Sequence, residues 1–93
     1  MHFLYILHSI SIDKYYIGET PDVNIRVKQH NSHYFNKSFT KAASDWKVAL
    51  YLECASKEEA VYLEKFVKRM KSRQFIEKVI AKHEILADIL KKR

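Results

Sequence analysis

Six residues in this chain are of types suited to phosphate chemistry: Tyr5, Tyr16, Gly18, Arg26, His30 and Glu64. Arginine is planar and permanently charged, and it can grip two phosphate oxygens at once. Histidine, with an ordinary pKa near ~6.5, is the easiest proton acceptor near neutral pH. A free tyrosine titrates near ~10, so it acts as a base only when a neighbouring cation lowers that value. A glycine allows close backbone approach, and a glutamate can hold a hard, oxygen-preferring cation. Each has a duller reading as well. Strand tyrosines commonly fill half-buried sheets, a histidine at a helix end can serve the helix dipole, and Glu64 can pair with Lys68 one turn on.

The elements that must position these residues are short. Phe3 to His8 and Lys14 to Gly18 are runs of strand formers joined by the polar connector Ser9 to Asp13, the pattern of an antiparallel hairpin. Alternation along each strand allows Tyr5 and Tyr16 to share one face. Gly18, the only glycine, stands at a strand end, where it permits a tight exit or close approach. Thr20-Pro21-Asp22 reads as a helix start with Thr20 as N-cap and Pro21 at the first helical position. Val23, Val27 and His30 then mark an inward stripe, Arg26 lies on its margin, and the helix ends near Asn31.

His33 to Asp45 has no clear period and is rich in aromatic and polar side chains, as functional loops often are. Beyond Trp46, the residues Val48, Leu50, Leu52 and Cys54 alternate with Lys47, Ala49, Tyr51 and Glu53, which predicts a half-buried third strand. Ser56 and Glu59 form a capping box for a helix reaching Met70, with Ala60, Leu63, Val67 and Met70 facing the core. Ser72 caps a further helical stretch with a break near His83. The expected fold is α+β, a three-stranded antiparallel sheet flanked by helices in the order β-β-α-β-α-α. Residues 1–80 form the main domain, and 81–93 form a helical extension with a basic tail.

The chain has 93 residues, enough for one modest core. A single cysteine, Cys54, excludes an internal disulfide and suits a reducing compartment. No basic n-region with a long apolar run opens the chain, and no stretch is apolar enough to span a bilayer, so a soluble cytoplasmic protein is expected. The net charge of +6 is uneven: residues 1–64 balance to −1 and residues 65–93 to +7. Such a distribution suits a polyanion, with salt-sensitive attraction.

The hairpin and first helix resemble the GIY-YIG nuclease superfamily. Its second motif stands intact as Tyr16-Ile17-Gly18, while the first survives as Phe3-Leu4-Tyr5, keeping the tyrosine and losing the glycine and isoleucine. Arg26 falls on the family's helix arginine, His30 on its histidine and Glu64 on its metal-binding glutamate. The similarity continues through Asn31, Phe39-Thr40-Lys41, Asp45-Trp46 and Lys71 to Glu77, where it is closest to small stand-alone bacterial members related to the nuclease domain of excision-repair enzymes. Glu19, just after the second motif, is a further acid that could repel phosphate or help hydrate a metal.

The resemblance implies metal-dependent endonucleolytic hydrolysis of DNA with one Mg²⁺ or Mn²⁺, linked to DNA repair. Glu64 would hold the metal and Arg26 the phosphate. Tyr5 is the expected base, with Tyr16 and His30 as supporting or competing candidates. Gly18, Lys37, Lys41, Lys68 and Arg69 would contact the substrate, Lys37 and Lys41 beside the aromatic residues Tyr34, Phe35 and Phe39. Nothing looks like a sequence reader, so branched, flapped or damaged DNA is the expected target. A nucleic-acid-binding module without turnover is the alternative, and a homodimer through His83, Leu86, Ile89 and Leu90 is a third reading.

Overall fold

The computed structural model describes residues 1–34 and 39–93. Strands β1 (His2–Ser9) and β2 (Lys14–Thr20) form the predicted hairpin, and β3 (Trp46–Cys54) pairs with β1 from the other side. The sheet order is β2-β1-β3, all antiparallel, so β1 is central. Helix α1 (Val23–Asn31) and a 3₁₀ turn (Phe39–Ala42) separate the hairpin from β3. Helices α2 (Lys57–Met70), α3 (Arg73–Ala81) and α4 (Glu84–Lys91) follow it. The expected break near His83 separates α3 from α4.

Each face of the sheet carries its own core. Leu4, Ile6, Ile17, Leu50 and Cys54 point to one side, where Ala60, Leu63 and Val67 of α2, Val79 of α3 and Leu86 of α4 cover them. Tyr5, Leu7 and Trp46 point to the other, with Val23 and Val27 of α1 and Ala43 packed against them. Burying one large apolar side chain stabilises by roughly 1.5–3 kcal/mol. The first cluster therefore supplies most of the folding energy, while the second is small and mixes rings with polar groups. Leu86 lies inside the first cluster and Ile89 and Leu90 pack on it, so the apolar side of the last helix is used within the chain.

Three local expectations are corrected. Thr20 is not the N-cap of α1. It continues the β1–β2 ladder opposite Phe3, and Asp22 caps instead, its carboxylate accepting from the Ile25 amide at 3.0 Å. Met70 does not face the core: Val67 is the last buried residue of α2, and Met70 is 46 % exposed before Lys71 ends the helix in the left-handed conformation.

The third correction concerns β3, which does not alternate strictly. Leu50 pairs with Ile6 but Val48 pairs with Leu7, leaving Ala49 as an extra residue, a β-bulge. That slip turns Val48 (39 % exposed) and Trp46 to the Tyr5 side, while Leu50, Leu52 and Cys54 stay on the α2 side.

Two polar clamps fix the ends of these elements. The Asn31 side chain donates to the Trp46 carbonyl at 2.9 Å and accepts from its amide at 2.7 Å, tying the end of α1 to the start of β3. The Asp45 carboxylate accepts from Ser9 Oγ at 2.5 Å and from the Ser11 amide at 2.9 Å, which holds the hairpin connector.

Candidate active site

Register alone puts the two tyrosines together. Tyr5 pairs with Gly18 and Leu7 with Tyr16, so all four side-chain positions share the α1 face. The Tyr5 ring leans over Gly18, and a Cβ there would stand 2.5 Å from its hydroxyl oxygen. Gly18 has no positive φ, so what the site needs from it is space rather than conformational freedom. Of the two uses expected for this glycine, close approach is the one realised.

Under the ring of Tyr16 lies His30, with ring centroids 4.9 Å apart. His30 Nε2 is 2.9 Å from Tyr5 Oη, and its Nδ1 is 2.6 Å from Thr40 Oγ1, all in a buried setting. Burial first, and the Arg26 charge second, push the His30 pKa down to about 4, so the imidazole is neutral near pH 7.

The Tyr5 pKa moves the other way. Burial and the neighbouring Tyr16 raise it well above its ordinary value, and the negative charge of Glu64 adds to that. Arg26, a nearby cation and donor, opposes them. The lowering expected from a nearby cation is thus present but outweighed, because the ring is buried and a phenolate would be poorly solvated.

Glu64 reaches this cluster from α2, which packs against the edge strand β2. Its carboxylate accepts from Lys68 Nζ at 2.9 Å, the pair predicted from their spacing. Lys68 Nζ in turn stands 5.7 Å from the centre of the Tyr16 ring, although that ring belongs to the opposite face of the sheet from the α2 core. The Glu64–Lys68 pair therefore bends round the β2 edge toward the tyrosines. One arginine, one histidine and two phenols gather where α1 faces β1 and β2, and the partly buried Glu64 carboxylate acts on them from α2.

A family model, the GIY-YIG catalytic domain, matches residues 1–78. The chain belongs to the GIY-YIG family. That membership supports a nuclease-type function in general and points to nucleic acid as the substrate. No curated protein and no solved structure matches the chain. Among the described residues of this GIY-YIG domain, no helix is long and apolar enough to cross a membrane.

The remaining expected contacts divide. Lys68 lines a groove of about 340 Å³ together with Lys14, Tyr15, Lys71 and Arg73. Arg73 is already engaged there, bonding Asp13 at 2.7 Å and Glu77 at 3.2 Å and stacking on Tyr15. Arg69 is not in that groove; it lies over the Phe66 ring at 5.7 Å. Lys41 is exposed on the 3₁₀ turn next to Thr40, and Lys37 and Phe35 fall outside the described residues. Glu19 faces the α2 side and pairs with His2, away from the tyrosines.

Sequence reasoning missed Thr40 as a partner of His30 and the Asn31 clamp on Trp46. The only signal was indirect: both residues lie in stretches that resemble the family but carry no obvious chemistry.

Proposed function

We propose that this GIY-YIG domain is a metal-dependent endonuclease that hydrolyses phosphodiester bonds of DNA and selects its target by structure rather than sequence. The observation that carries this reading is the Tyr5–His30 hydrogen bond at 2.9 Å, with the charges of both Arg26 and Glu64 acting on the same hydroxyl.

The donor set suits one kind of metal. Among the described residues, no three or more His, Cys, Asp or Glu side chains form a metal cage. A lone carboxylate fits a hard Mg²⁺ or Mn²⁺ that keeps most of its waters and takes the rest of its ligands from substrate phosphate. Glu64 would hold that ion once Lys68 releases it. Bound there, the ion would supply Lewis-acid polarisation of the phosphate and charge stabilisation for the leaving 3′ oxygen.

The protein groups supply the rest. Arg26 presents fixed donors to phosphate oxygens as their charge builds. The attacking water passes its proton to Tyr5 Oη while the Tyr5 proton passes to His30 Nε2, so Tyr5 contacts the nucleophile and His30 receives the charge. No free phenolate is required, which reconciles the raised Tyr5 pKa with its role as base. Arg26 is one cause of the lowered His30 pKa. A phosphate that neutralises Arg26 thus relieves part of that depression when the substrate binds. Tyr16 forms the wall between His30 and Lys68.

Lys68, Lys14 and Lys71 line a track for the flanking backbone, where phosphate contacts position the strand without reading bases. The test is nicking of plasmid, flap, junction and single-stranded DNA with Mg²⁺, with Mn²⁺ and with EDTA. Glu64→Ala and Arg26→Ala should each lower the rate at least about a hundredfold while the fold is retained. A folded wild type silent on every substrate, or undiminished cutting by Glu64→Ala, overturns the reading.

One observation favours a second reading, a binding module without turnover: the Lys68 ammonium already satisfies the carboxylate a metal would need. That reading predicts salt-dependent DNA binding unchanged by Glu64→Ala and no metal-dependent product.

A further inference from the structure

We propose that Thr40 is a positioning residue that holds His30 as its Nδ1–H tautomer, leaving Nε2 free to take the Tyr5 proton. The tautomer follows from the geometry alone; its catalytic consequence rests on the hydrolysis reading above.

His30 and Thr40 are 2 % and 1 % exposed, so each polar atom must find its partner within the protein. A neutral imidazole has one N–H and one lone pair, and here both ring nitrogens have an oxygen at hydrogen-bond distance: Tyr5 Oη at 2.9 Å and Thr40 Oγ1 at 2.6 Å. Two assignments are therefore open, and the Tyr5 hydroxyl decides between them. Tyr5 is 1 % exposed, and among the described residues His30 Nε2 is the acceptor within hydrogen-bond distance of its O–H. A buried O–H is not left without an acceptor, so the Tyr5 hydrogen points to Nε2. Nδ1 is left as the N–H, donating to Thr40 Oγ1.

Thr40 can impose this because it is itself fixed. Its carbonyl accepts from Trp46 Nε1 at 2.8 Å, and the Trp46 backbone is held by Asn31, the neighbour of His30 on α1. The constraint closes on itself through α1, β3 and the 3₁₀ turn. When His30 gains the Tyr5 proton, its Nδ1–H still has Thr40 Oγ1 as acceptor, so the imidazolium forms without any group having to reorient. In the other tautomer Nε2 would carry a hydrogen and could accept nothing.

Long-range ¹⁵N–¹H spectra of His30 in the wild-type protein near neutral pH test the tautomer without any variant. Protonated Nδ1 and bare Nε2 are expected, and protonated Nε2 overturns the proposal. Thr40→Val removes the hydroxyl at constant shape and should shift the spectrum toward the Nε2–H form. It should also lower kcat about ten- to a hundredfold with KM within about twofold. Thr40→Ser, which keeps the oxygen, should restore both readouts to within about threefold of wild type.

An unchanged tautomer and kcat in Thr40→Val, or a Thr40→Ser protein as impaired as Thr40→Val, refutes the assignment. If Thr40→Val does not fold, the wild-type spectrum and Thr40→Ser decide. If the wild type cuts nothing, the hydrolysis reading falls, and the spectra alone still decide the tautomer.

Discussion

Replacing His30 by glutamine should make the protein less sensitive to mild acid, even if it lowers stability at neutral pH. His30 titrates at about 4 in the fold against an ordinary 6.5. As pH falls below 6.5, the unfolded chain gains a proton that the folded state refuses until pH approaches 4. Stability from this group is therefore intact above pH 6.5 and is lost progressively between 6.5 and 4. Linkage turns that difference into about 2 kcal/mol lost between pH 7.5 and pH 5, with about 3 kcal/mol as the full amount once both states are protonated. For a domain of this size about 2 kcal/mol corresponds to a fall in Tm on the order of 10 °C. Other groups titrate in the same range, so the quantity to measure is the gap between wild type and His30→Gln in urea unfolding at the two pH values. The gap should shrink by about 2 kcal/mol at the lower pH, and the His30 midpoint by NMR should lie well below the ordinary value. A gap constant to within about 0.5 kcal/mol, or a midpoint near 6.5, refutes the assignment of a buried, neutral imidazole.

Gly18→Ala places a methyl group 2.5 Å from Tyr5 Oη, and the buried ring cannot swing away freely. It should cost about 1–3 kcal/mol in denaturant unfolding and lengthen the Tyr5–His30 contact, with turnover falling more than stability suggests. Asn31→Ala strands the amide and carbonyl of Trp46 and should destabilise by about 1–3 kcal/mol, with the Trp46 fluorescence altered in the native state. In the double variant Lys14→Gln with Lys71→Gln, the slope of log binding constant against log salt should drop by about 1–2 on DNA, while Tm stays within a few degrees. An unchanged slope removes the groove from the substrate path.

Much of the architecture could be read from residue pattern because local rules acted without competition. The Ser72 side chain caps α3 as expected, accepting from the Phe75 amide at 3.1 Å. Ser56 caps α2, although Glu59 reaches back to the Ala55 amide and not to that of Ser56. The same reasoning failed at Thr20, where pairing with β1 overrode capping preference, and at Val48, where a bulge broke the strand period. The site shows the same division. Tyr5, Tyr16 and His30 were placeable, because strand alternation and helix periodicity govern them. Thr40 was not, since its position depends on a Trp46 bond across a 3₁₀ turn that has no sequence period. The balance at Tyr5 was also beyond pattern reading, because it depends on how deeply the ring is buried relative to how closely Arg26 approaches.

The extra residue in β3 lets a single strand serve both layers of the protein. Downstream of Ala49 its side chains anchor the helical layer, while upstream its tryptophan props the turn behind the imidazole. Pairing Ala49 with Leu7 in an unbroken ladder would change no residue of the chain. It would nevertheless rotate the tryptophan to the wrong layer and detach the support beneath His30. The two-for-one pairing at this one small residue is thus what gives the imidazole its backing.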